Sequence, residues 1–325
     1  PGETSQSFLE GYDRLADKER VHSRLHDYFA DVSFPDEVKG LQDLQPVIEL
    51  YHHTVRAGRY DEALAIFGDH LSHHLYCRLG AYLTCVELLS ALFPHGEDGL
   101  PGPYYEPGRG WALNELARAY TLSGQAGRSS TLLARAITAE EKTDRKGNVA
   151  IGLATLAKNQ ADLGELAAAD GSLQRAIGLA RVPERESVAV FVRMQMACLL
   201  AVRGTFERCA GELRKTYGLV KKTRSDRWRA AVAVCNAYRA LLMGNPGASL
   251  ESARAARALT ESPATHLHTF ARDSVEAQWL LGAALVASGC QDSARMHGLL
   301  LEGESHLSAA MARCRSAIPA SVRDA

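Results

Sequence analysis

Apolar residues recur along this chain at intervals of three and four, in blocks that close on a glycine. In Val47, Leu50, Gly58, Tyr60, Ala63 and Phe67 one apolar face runs up to Gly58 and a second begins at Ala63, after Arg59-Tyr60-Asp61. That pattern predicts a helix, a tight turn and a helix. The next block gives Leu113, Leu116, Ala117, Tyr120, Gly124, Leu133 and Ala136, and the one after it Leu153, Leu156, Ala157, Gly164, Leu166, Ala169, Leu173 and Ala176. A last block holds Trp279, Leu281, Gly282, Leu285, Gly289 and Ala294. The closing glycines are Gly58, Gly124, Gly164, Gly204, Gly244 and Gly289, at spacings of 66, 40, 40, 40 and 45. Three equal steps in succession predict a repeat array. Small residues at Ala117, Ala157, Ala169 and Ala176 let the two helices of a hairpin approach closely, and the glycine ends the first helix where a left-handed conformation costs little.

The 66-residue step calls for an extra element. Leu75, Leu79, Tyr82, Leu83, Val86, Leu89 and Leu92 keep helical spacing, which predicts an extra helix over 72–93. Between Pro94 and Gly110, nine of seventeen residues are glycine or proline, so 94–110 is predicted as a loop. Tyr104 and Tyr105 in that loop are expected to pack back on the helices, with contact to a partner as the other reading.

The frame of Val55 to Phe67, Val-Arg-Ala-Gly-Arg-Tyr-Asp-Glu-Ala-Leu-Ala-Ile-Phe, resembles the tetratricopeptide repeat (TPR) family. The resemblance implies an all-α, right-handed superhelix of helical hairpins, an α-solenoid. The usual period is about 34 residues, so a 40-residue step implies helices longer by a turn or wider loops between repeats. Two blocks depart from the frame: Pro246 and Gly247 interrupt the fifth, and Gly298 stands where the sixth would carry an aromatic. In such a solenoid the first helices line the concave face. Carrying the family's inner positions onto this frame points to His52, Asn114, Arg118, Lys158, Tyr238 and Trp279 as binding residues. The set mixes cations, an amide and aromatics, which suits a carboxylate or a peptide. Charge reversal at Arg118 and Lys158 is expected to abolish binding without changing the melting temperature.

Composition narrows the function. Apolar residues make up 46% and charged residues 23% of 325, as in ordinary globular proteins. Lys plus Arg number 37 against 38 Asp plus Glu, so the global attraction to nucleic acid or anionic membrane that a basic protein has is missing. Nucleic acid and membrane are not expected partners. Seven scattered cysteines, with no C-x-x-C pair, read as small buried hydrophobes in a reducing compartment. With no signal peptide and no membrane-length apolar run, a cytoplasmic location is expected. No P-loop, nucleophile elbow, H-E-x-x-H or dinucleotide fingerprint occurs. No catalytic activity, cofactor or metal is expected. His22 and His26 stand four apart, as do His70 and His74, with His73 and Cys77 nearby. Such pairs hold metals on some helices, and here they read as helix surface, like His52 and His53.

A second resemblance covers most of the chain. Arg24 to Phe29, leading through Leu44 to His53 into the first hairpin, together with Trp279 to Ala284 and His306 to Arg315, resembles the C-terminal repeat region of bacterial STAND signalling ATPases of the NB-ARC type. It implies a sensor for a protein or peptide trigger, working on nucleotide-binding and effector domains of the same longer chain, as in bacterial immunity. A first residue that is Pro1 fits a piece of such a chain. Residues 1–40 would then be a lead-in, the end of a winged-helix region and its linker, with Val21, Leu25 and Phe29 packing toward the first hairpin. Residues 41–318 would be the solenoid and 319–325 a tail. Two rival readings are a free-standing adaptor that binds peptide segments of partners, and an enzyme with its active site between the loop and His70, His73 and His74.

Overall fold

A computed structural model describes residues 15–32, 37–180, 186–223, 225–261, 271–291 and 296–316. Every regular element among them is helical. Helix α1 (Leu15–Ala30) is followed by a short 3-10 turn, then α2 (Gln45–Arg56) and α3 (Tyr60–Ile66), which winds on through π-turns at Phe67–Leu71 and His74–Leu79. After α4 (Tyr82–Ser90) come α5 (Glu106–Leu122), α6 (Ala126–Lys142), α7 (Lys146–Asp162), α8 (Leu166–Leu179), α9 (Glu186–Val202) and α10 (Phe206–Thr223). The stack ends with α11 (Asp226–Leu242), α12 (Pro246–Thr260), α13 (Ala271–Gln291) and α14 (Met296–Ser316). Successive helices pack as hairpins, α5 on α6, α7 on α8, α9 on α10, α11 on α12 and α13 on α14.

One device turns the chain at each hairpin. Gly58, Gly124, Gly164, Gly204 and Gly244 have φ between 70° and 84°. The N–H after each glycine donates to the carbonyl five residues back, as Gln125 to Tyr120 at 2.8 Å, Glu165 to Gln160 at 2.7 Å and Asn245 to Ala240 at 2.9 Å. That is a Schellman cap, which satisfies carbonyls the helix end would otherwise leave open. Gly289 is different. It lies inside α13, where a Cβ would sit 3.3 Å from Leu299, Leu300 and the Met296 carbonyl. Its role is close helix approach, which is why its spacing leaves the 40-residue step.

The step itself comes from longer helices. Helices α5, α6, α7, α9 and α11 each run 17 residues, and the turns from α5 to α6, α7 to α8, α9 to α10 and α11 to α12 each take three. Residues 117, 157, 197 and 237 are all alanine and all buried, and on the second helix of each hairpin residues 129, 169, 209 and 249 are Ser, Ala, Cys and Ser, also buried. The Ser129 hydroxyl donates to the Ala117 carbonyl at 2.7 Å and the Ser249 hydroxyl to Ala237 at 2.9 Å. Small side chains here let the backbones close in, and the hydroxyls satisfy carbonyls on the facing helix.

Several expectations change. The helix expected over 72–93 breaks at Gly80, whose φ of 63° ends the π-turn before α4 starts. The loop is shorter than 94–110, because Pro107 sits in the first turn of α5, where a missing N–H costs nothing. Pro246 likewise opens α12 behind an Asn245 cap, so the fifth hairpin is uninterrupted. The loop is pinned by α6: Arg135 donates to the Glu97 and Gly99 carbonyls, and Arg128 pairs with the Glu97 carboxylate at 3.0 Å. Tyr104 and Tyr105 do not pack back; the two residues are 88% and 65% exposed while their N–H groups donate to the Asp61 carboxylate.

Of the expected lead-in, the described helix α1 joins the stack. Helix α1 packs on α2, but through His22, His26 and Phe29, while Val21 and Leu25 face outward. His22 and His53 meet Nδ1 to Nδ1 at 2.9 Å, and His26 reaches Glu62 at 3.1 Å. The expected tail, 319–325, lies outside the described residues.

The far end of the stack returns to its beginning. The Arg272 N–H at the start of α13 donates to the Tyr82 hydroxyl at 3.0 Å, across 190 residues of sequence, and α13 also touches the 74–79 turn. Burial pushes the Tyr82 hydroxyl up to about 12.

Candidate functional site

The first helices of five hairpins, α5, α7, α9, α11 and α13, line a single cavity of about 610 Å³ on the concave side. It falls within the range of ligand pockets, about 300–1,000 Å³. Its lining changes character along the stack. Asn114 and Arg118 on α5 and Lys158 and Asp162 on α7 make one polar end; Arg272, Asp273 and Glu276 on α13 make the other. Between them α9 and α11 present Phe191, Met194, Trp228, Val234 and Tyr238. Phe191 and Trp228 stand with ring centroids 6.4 Å apart.

Five of the six residues read from the sequence, Asn114, Arg118, Lys158, Tyr238 and Trp279, are brought together in this lining. His52 is not. It lies half-buried on α2, edge-on to Tyr51 at 6.0 Å, and burial lowers its pKa. No residue of α2 lines the cavity.

Within the set, the groups differ in what they can do. Arg118 is committed to the fold. It forms an ion pair with Glu115, whose side chain is only 4% exposed, and its guanidinium stacks 4.2 Å over the Tyr76 ring. Burial raises the Glu115 carboxyl, with Arg118 opposing; burial also works against the Arg118 charge, and Glu115 together with Tyr76 and Cys85 more than offsets that. Charge reversal at Arg118 would therefore strand a buried carboxylate and read stability, not recognition alone. Lys158 pairs with Asp162 one turn on at 2.5 Å, a partly exposed pair that a ligand carboxylate can replace at small cost. Burial raises the Tyr238 hydroxyl. Trp279 keeps 44% of its surface exposed, an aromatic face available for packing.

Solved structures that match over nearly the whole chain include two Rap proteins. The apo form of RapI is 11% identical, with a TM-score of 0.54, over 96% of this chain and 96% of that one. A Rap protein complexed with competence and sporulation factor is 14% identical, with a TM-score of 0.54, over 94% and 91%. The fold is a TPR-like helical superhelix. No protein-family model matches the chain, and no curated protein matches it.

Other groups in the lining follow from the same register. Arg118, Lys158 and Tyr238 share a repeat position, and the α9 residue at that position is Cys198, which also lines the cavity. The 40-residue step points to it directly. Arg227, Trp228 and Glu276 fall one to three turns from Tyr238 and Trp279 on the same helix faces. Arg272 and Asp273 close the far end, and only the superhelical turn brings them near Tyr82.

The histidines near 70 stay apart from this cavity. His70 is exposed, and His73 and His74 stand edge to face at 5.4 Å. Among the described residues no group of three or more His, Cys, Asp or Glu is placed to hold a metal. No helix among them is long and apolar enough to cross a membrane.

Proposed function

We propose that this chain is a non-catalytic recognition domain that takes an extended peptide segment of a partner into its concave groove. The observation that carries the reading is the convergence of five first helices on one cavity, with an aromatic centre between two polar ends. An extended segment offers backbone amides for Asn114, a carboxylate for Lys158 and an apolar side chain for the centre. The matched Rap protein complexed with competence and sporulation factor supports the same use of the fold.

The finer form of the proposal makes the domain the trigger sensor of a STAND-type ATPase. It is supported by the resemblance of residues 24–53, 279–284 and 306–315 to that repeat region. Upstream coding sequence tests it: a P-loop is the expected finding, and a start codon directly before Pro1 would favour a free-standing adaptor.

The binding reading is tested with a displayed library of random peptides, panned on the wild-type chain and on Lys158→Glu and Trp279→Ala variants. Peptides that bind wild type at least tenfold more tightly than both variants, at equal melting temperature, are expected. Binders indifferent to both substitutions would remove the groove from the proposal.

A further inference from the structure

Three thiols from successive helices meet beside the groove. The sulfurs of Cys198 on α9 and Cys235 on α11 lie 3.5 Å apart, and the Cys209 thiol on α10 also contacts Cys235. Cys235 and Cys209 are fully buried, whereas Cys198 is half-buried, and both Cys198 and Cys235 line the cavity. A small oxidant entering the groove therefore meets the Cys198 sulfur first, with a second thiol in contact behind it.

The repeat register separates what packing explains from what it does not. Cys209 holds the small-residue position of Ser129, Ala169 and Ser249, so helix approach accounts for it. Cys198 holds the groove position that carries Arg118, Lys158 and Tyr238 elsewhere. Cys235 holds a position that carries Glu115, Thr155 and Gln195. Neither position demands a small apolar side chain, yet both carry sulfur where adjacent first helices meet.

We propose that Cys198 and Cys235 are an oxidisable pair that closes to a disulfide in the groove wall under hydroperoxide. The Cys198 sulfur takes one oxygen from hydrogen peroxide, releasing water and leaving a sulfenic acid. The Cys235 sulfur then displaces that oxygen, which leaves as a second water. Two thiols and one peroxide thus give one disulfide and two waters, and a thiol reductant reverses the change. The sulfurs have to approach by about 1.5 Å to reach disulfide length, a distance that side-chain rotation and a slight helix shift supply. The bond ties α9 to α11, which carry the facing rings of Phe191 and Trp228, and so fixes the width of the groove at its aromatic centre. In a reducing compartment such a pair acts as a reversible sensor, not a permanent staple.

The test needs no ligand, so its outcome is independent of the peptide-binding reading. The folded wild-type chain is exposed to hydrogen peroxide, remaining thiols are blocked with N-ethylmaleimide, and a non-reducing tryptic digest is read by mass spectrometry. The expected product links the peptide from Met194 to Arg203 with that from Ala230 to Arg239 and weighs two hydrogens less than their sum. It forms equally in a Cys209→Ser variant and is lost on adding dithiothreitol. Exposed Cys290 reports that oxidant reached the protein. Oxidation of Cys290 with Cys198 and Cys235 both still alkylated after unfolding would overturn the proposal. Sulfinic or sulfonic acid at Cys198 with no linked peptide would do the same, as would a bond found only between Cys209 and Cys235.

Discussion

Replacing Arg118 by methionine removes the partner of a carboxylate that is almost wholly out of water. Breaking a buried pair from one side costs about 3–5 kcal/mol, because the remaining charge is left uncompensated. Glu115 has one escape, which is to bind a proton. Its folded pKa is already raised by burial, and losing Arg118 raises it further. The unfolded chain ionises near the ordinary value of about 4.3. Between those two values the folded state holds a proton that the unfolded state has lost, so stability falls as pH rises, by at most about 1.4 kcal/mol per pH unit. Above the folded value the dependence is flat. The variant's window is wider than wild type's, so the stability gap between them grows from pH 5 to pH 8. Urea unfolding followed by far-ultraviolet circular dichroism at both pH values measures it, with hydrogen exchange along α5 locating the loss. Changing both residues, Glu115→Leu with Arg118→Met, is expected to restore most of the stability, since apolar groups of similar size commonly replace a buried pair at little cost. A gap under about 1 kcal/mol at pH 8, or a larger one that ignores pH, would refute the view that this pair belongs to the fold.

Two further outcomes follow from local geometry. Gly164→Ala puts a Cβ on a residue with φ of 84° and is expected to destabilise by about 1–2 kcal/mol, whereas Gly171→Ala, on the open face of α8, is expected to stabilise by roughly 0.5–1 kcal/mol; equal shifts in their urea midpoints would contradict this. The two Nδ1 atoms of the His22–His53 contact lie 2.9 Å apart, a distance that admits one proton between them, and both groups are depressed, first by burial, then by their neighbours: His53, Arg56 and Lys18 around His22, and Arg56 and His52 around His53, where Glu49 opposes. Groups with depressed folded pKa values lose their contribution as pH falls below the ordinary histidine value of about 6.5, so the protection factors of α1 amides, corrected for the intrinsic exchange rate at each pH, are expected to fall from pH 7 to pH 5, and a His22→Leu variant to lose that dependence.

Much of the solenoid could be read from one residue type. Glycines at a fixed step marked the hairpin turns because a left-handed cap admits little else, and alanines marked the faces where helices meet. The register failed where glycine serves a different purpose, as at Gly289, and where proline opens a helix instead of ending one, as at Pro107 and Pro246. The buried face of α1 is not the one its apolar residues predict: Val21 and Leu25 look like core, whereas the partners that favour His22 and His26, namely His53 and Glu62, lie on other helices and leave no trace in the local pattern. Arg118 illustrates the same gap in the groove. Its position on the inner face was legible and Glu115 lies one turn before it on α5, but the ring of Tyr76 that covers the pair comes from a π-turn about forty residues earlier. Cys198 stands at the same repeat step as Arg118, Lys158 and Tyr238, but nothing in the local pattern says that Cys235 of the next first helix lies against it.

The hydrogen bond from Arg272 to Tyr82 changes how the molecule should melt. An open array of repeats is held by nearest neighbours, so its ends fray independently and its stability is close to a sum of local parts. A contact spanning 190 residues makes the chain a closed circuit. Loss of α13 and α14 would then be felt at α4, and the middle repeats would unfold in the same transition as the ends. Such closure also raises the contact order of an otherwise local fold, which slows folding. A domain of this kind trades the stepwise compliance of a spring for the all-or-none response of a clasp.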